Sequence, residues 1–81
     1  MMSPDKIQAL IQQALPGSEV EVQDMTGTQD HFQALVISPS FSGKTMVEQH
    51  QMVYRALGEN MKQAIHALSL QTYTPEQWKN K

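Results

Sequence analysis

Apolar side chains near the amino end recur at the spacing of one helical face. Ile7, Leu10, Ile11, Ala14 and Leu15 predict an amphipathic helix. Ser3-Pro4-Asp5 marks its start, with a side-chain oxygen at the N-cap, a proline where a missing N–H costs nothing, and an acid near the positive end of the dipole. Pro16-Gly17 stops it. From Ser18 to Asp24 the period falls to two: Val20 and Val22 alternate with Glu19, Glu21 and Gln23, which predicts a strand wet on one side. After a turn around Gly27, residues 31–38, HFQALVIS, carry apolar groups on both faces and predict a central strand paired with the first as a hairpin.

The helical period returns after Lys44. Met46, Val47, His50, Val53, Tyr54, Leu57 and Met61 form one stripe. Gly58 interrupts it, at a cost of about 1 kcal/mol relative to alanine inside a helix, so the stretch reads as two helices or one bent one. Residues 65–73, IHALSLQTY, predict a third strand. Thr74-Pro75-Glu76-Gln77 has the side chains of a capping box, opening a short terminal helix that carries Trp78.

The order α-β-β-α-α-β-α leaves a helix pair between the second and third strands, long enough for a parallel crossover. The expected class is therefore α+β: a mixed three-stranded sheet with helices packed on one face. Eighty-one residues without repeat or linker suit a single domain over 1–81.

A composition of 40% hydrophobic and 17% charged residues argues for a folded chain over a disordered one. No run approaches the roughly 20 apolar residues of a membrane span. The amino end lacks a basic leader with an apolar block, so a complete cytoplasmic protein without membrane attachment is expected. Absence of cysteine excludes disulfides, thiol catalysis and a thiolate cage made by this chain, so any soft-metal site must take its thiolates from another molecule. A net charge of −2 with six Lys and Arg residues lends nucleic-acid binding no support.

Gly43-Lys44-Thr45 resembles the tail of a phosphate-binding loop. That loop requires an opening glycine five residues earlier, where this chain has Ser38, followed by Pro39 with no N–H to offer a phosphate. Gly43 instead permits a turn, and Lys44-Thr45 begins a helix. Nor is there an enzyme motif: no nucleophile stands beside a base, and the histidines are separated by 19 and 16 positions, unlike a metalloenzyme set.

Phe41-Ser42-Gly43-Lys44, Gln49-His50-Gln51-Met52-Val53-Tyr54 and the run Ile65-His66-Ala67-Leu68-Ser69-Leu70-Gln71-Thr72-Tyr73-Thr74-Pro75-Glu76-Gln77-Trp78 resemble the BolA family, in its short-loop form. The resemblance implies a fold related to the type II KH domain, in the element order above. It also implies a partner, a monothiol glutaredoxin with a CGFS motif, and a [2Fe-2S] cluster shared with it. Glutaredoxin cysteine and glutathione supply the thiolates, and the BolA-like chain supplies the rest. The implied role is an adaptor in iron–sulfur trafficking or iron sensing, without a cofactor when isolated and monomeric or weakly homodimeric alone.

His66 matches the histidine that serves BolA-like proteins as a cluster ligand. By pattern alone it alternates with Leu68 and Leu70 and reads as a partly buried structural histidine. The second family ligand, a Cys or His in the loop between the first two strands, falls on Thr28 here. His31 is the nearest substitute, and equally reads as a half-exposed strand residue making a hydrogen bond. His50, on the apolar stripe, reads as a packing residue. Tyr73 and Trp78 read as anchors of the terminal helix, and Met46, Met52 and Met61 as core filler. An alternative is a nucleic-acid-binding transcriptional regulator with a KH-like fold, using Lys44, Arg55 and Lys62. Its weakness is that no two glycines stand three apart, so the KH Gly-x-x-Gly is missing.

Overall fold

The computed structural model of the chain describes residues 3–25, 31–58 and 67–81. Helix α1 spans Pro4–Ala14, strand β1 Glu19–Asp24, strand β2 His31–Ile37, helix α2 Met46–Leu57, strand β3 Ala67–Tyr73 and helix α3 Pro75–Lys79, with a 3-10 turn at Pro39–Phe41. The expected turn at Gly27, the helix after Gly58 and residues Met61 and Ile65 lie outside the described residues.

Each helix begins where its capping chemistry predicts. Ser3 Oγ accepts from the Lys6 N–H at 3.2 Å. Thr45 Oγ1 accepts from the Glu48 N–H at 3.2 Å while the Thr45 N–H donates to Glu48 Oε1 at 2.9 Å. Thr74 and Gln77 repeat this box at 3.0 and 2.9 Å. Thr45 is thus the cap of α2 and Met46 its first helical residue. The Glu48 carboxyl is held below its ordinary range, first by the Thr45 N–H and then by the Thr45 hydroxyl. Gly43 turns with φ +77°, a left-handed conformation that side chains disfavour, and the phosphate-loop reading has no further support.

The sheet has the order β1-β2-β3. β1 pairs antiparallel with β2, and β2 pairs parallel with β3, so the mixed sheet is as expected. Register sends Val20, Val36 and Thr72 to one face together with Ala34 and Phe32. Against that face pack Ile7 and Ile11 from α1, Leu15 just after it, Val53 and Leu57 from α2, and Phe41. Phe32, Val36, Phe41, Ile7 and Ile11 are all but inaccessible, and each buried side chain of this size contributes about 1.5–3 kcal/mol. Among the described residues no helix is long and apolar enough to cross a membrane.

The stripe of α2 is rotated from its expected position. Val53 and Leu57 are buried, but Met46 and Val47 are 65% and 66% exposed, Tyr54 is exposed, and Gln49 is buried instead. Residues four apart line one face, so Gln49, Val53 and Leu57 point inward together while Val47 and Tyr54 fall on the far flank. Met46 is therefore not core filler; Met52, packed against the core, is. Gln49 tolerates burial because its amide is satisfied at both ends: Oε1 accepts from Thr72 Oγ1 at 2.8 Å and Nε2 donates to the Lys44 carbonyl at 3.1 Å.

Candidate functional site

One end of the sheet gathers the segments that carry the sequence-predicted ligands. β1 ends at Asp24, which pairs with Phe32, and Phe32 pairs with Leu68. The Met25 N–H then donates to the His31 carbonyl at 2.8 Å, joining the two strands of the hairpin at this end. On the other side His31 stands in register with Ala67, the residue that follows His66 in the chain. Thr28 and His66 themselves lie outside the described residues.

His31 is exposed at the start of β2, and Met25 beside it is 57% exposed. It is more exposed than the half-covered strand histidine expected. Among the described residues no group of three or more His, Cys, Asp or Glu could hold a metal ion. An exposed imidazole at the strand ends suits a site whose remaining ligands come from another molecule.

His50 is half-buried within α2, in keeping with a packing role. Tyr73 and Trp78 pack with ring centroids 5.3 Å apart at 58°, which ties α3 to the end of β3 as expected. The basic candidates are partly gathered. Lys44 and Arg55 line one shallow groove on α2, but Glu48 lines it too, and Lys62 lies outside the described residues.

Sequence reasoning missed the buried Gln49–Thr72 bond. Its signal was available: Thr72 continues the inward alternation of Leu68 and Leu70, and Gln49 stands one helical turn before Val53.

A two-helix layer over a mixed three-stranded sheet, with strand ends bearing an exposed histidine, defines an α+β domain with a potential site at one edge of its core. The family model described as BolA-like protein matches residues 11–77. The chain belongs to the BolA-like family. It is 40% identical over 81 residues to the protein BOLA2 of Arabidopsis thaliana, covering 98% of this chain and 86% of the relative. It is 31% identical over 85 residues to the DNA-binding transcriptional regulator BolA of Escherichia coli, covering 96% and 81%. The solved structure of a bolA protein homologue from Coxiella burnetii is 39% identical and superposes with a TM-score of 0.83, covering 98% of this chain and 99% of that one. None of these names denotes an enzyme.

Proposed function

We propose that this chain is an adaptor that binds a monothiol glutaredoxin of the CGFS type and shares or regulates a glutathione-ligated [2Fe-2S] cluster with it. The observation that carries this reading is the β2/β3 register, which sets exposed His31 opposite the residue following His66. A chain without cysteine suits a site completed by partner thiolates. His66 and His31 would be its ligands, bound as neutral imidazoles, so the complex weakens as pH falls and protons compete for the ring nitrogens. Thr28 occupies the loop position where a Cys or His is usual in the family; His31 compensates for it.

The test is anaerobic cluster reconstitution with a CGFS glutaredoxin and glutathione, read by visible circular dichroism. A spectrum distinct from that of the glutaredoxin homodimer, lost in His66→Ala and altered in His31→Ala, supports the reading. An apo complex only leaves a regulator that shares no cluster; no complex at all rules the adaptor out.

A second reading, DNA-binding regulation, is favoured by the name of the Escherichia coli relative and by the shared groove of Lys44 and Arg55. Glu48 in that groove counts against it. Sequence-selective binding whose affinity falls steeply with salt, and falls further in Lys44→Ala with Arg55→Ala, would establish it.

A further inference from the structure

The sheet face opposite the core carries a groove that the cluster reading does not use. Its volume is about 500 Å3, and its walls include Glu19 and Glu21 from β1, Leu35 and Ile37 from β2, and Trp78 from α3. The size is that of a ligand site, roughly 300–1,000 Å3 in proteins generally.

The two glutamates point the same way because they stand two apart on one strand, roughly 7 Å along the backbone. Both are exposed, and neither forms an ion pair with a described residue. Half-buried Leu35 and Ile37, which is only 7% exposed, run beside them as an apolar row, since Glu19 pairs with Ile37 and Glu21 with Leu35. Trp78 closes one end at 40% exposure. Its ring system already draws a cation: Lys81 Nζ lies 5.0 Å from the centroids of both Tyr73 and Trp78, while lining a different groove with Lys44 and Gln77. Ser18, at the rim, has a buried Oγ with no hydrogen-bond partner among the described residues.

Acidic row, apolar row and aromatic end-wall are complementary to a chain that presents a cation and a hydrocarbon side by side. A divalent metal ion is a poor fit, because it requires several converging oxygens and tolerates no apolar floor. A small ammonium ion would leave most of the track empty, since Glu21 and Leu35 continue into a second depression lined by Gln23, Gln33 and Gln71.

We propose that this open face docks an amphipathic basic segment of a partner protein. Its cationic side chain lies between Trp78 and the carboxylates of Glu19 and Glu21, and its apolar neighbour lies on Leu35.

Trp78 is the only tryptophan, so its fluorescence reports on the groove directly. The full chain is titrated with a short synthetic peptide of alternating arginine and leucine, and separately with one of alternating glutamate and leucine. The expected result is a saturable emission shift with the basic peptide alone. Binding should weaken about tenfold in Glu19→Gln with Glu21→Gln, and also on raising the salt. Asp5→Asn, an exposed acid on α1 outside the groove, should leave it unchanged. No shift with the basic peptide, equal binding of the acidic one, or undiminished affinity in the double variant overturns the proposal. The assay uses neither glutaredoxin nor cluster, so its failure leaves the adaptor reading standing.

Discussion

The two ends of the sheet are finished by different chemistry. At the end where β2 and β3 begin, the described chain offers an exposed histidine and a methionine, with one backbone hydrogen bond from Met25 to His31 holding the hairpin shut. At the end where they finish, several polar groups bond to one another: Thr72 to Gln49, Gln49 to Lys44, Ser38 to Tyr73, and the Thr74–Gln77 box. One end leaves side chains exposed to solvent, and the other buries polar groups that must bond to one another. The contrast is between an exposed end and a braced one within one small sheet.

The largest disruption comes from the core that both ends share. Phe32→Ala removes a buried ring next to His31 and should cost about 3–5 kcal/mol, a fall in melting temperature of about 12 °C or more by thermal unfolding. At the braced end, Thr72→Val strands the Gln49 amide and should cost about 1–3 kcal/mol; adding Gln49→Leu should recover part of that loss. Denaturant titration of the single and double variants reads the coupling, and strict additivity would refute a closed polar brace. Thr74→Ala should cost about 1 kcal/mol by removing the cap of α3, and should shift Trp78 emission. His31→Ala should barely move stability, since the side chain is exposed, while changing the cluster spectrum.

The smallest effect is one of pH. Glu48 has a folded-state pKa below its unfolded one, so its contribution is present above the unfolded value and lost as pH falls through the folded one. Glu48→Gln keeps a capping group and should flatten that acid-side slope in melting temperature against pH.

Much of the fold was legible because its signals are local. Ser3, Thr74 with Gln77, and the alternation of Val20 and Val22 are short-range patterns whose structural meaning does not depend on the rest of the chain. The face of α2 was harder: hydropathy put Met46, Val47 and Tyr54 inside, whereas the helix's orientation against β3 made a satisfied glutamine the buried residue. That outcome depends on a partner 23 positions away, Thr72, which no window of local sequence contains. The candidate site was legible only through family resemblance, since isolated histidines carry no spacing signal. Register adds what the resemblance could not, the neighbour opposite His31. The groove beside Trp78 had no sequence signal, because Glu19, Glu21 and Trp78 meet only across the folded sheet.

The parallel pairing of His31 with Ala67 also orders events in time. During synthesis, at about 5–20 residues per second, β1 and β2 emerge first and their hairpin is free to close, whereas β3 reaches its place only after the crossover has been made. The nascent chain therefore holds its β1/β2 hairpin without the parallel neighbour until Ala67–Tyr73 have left the ribosome.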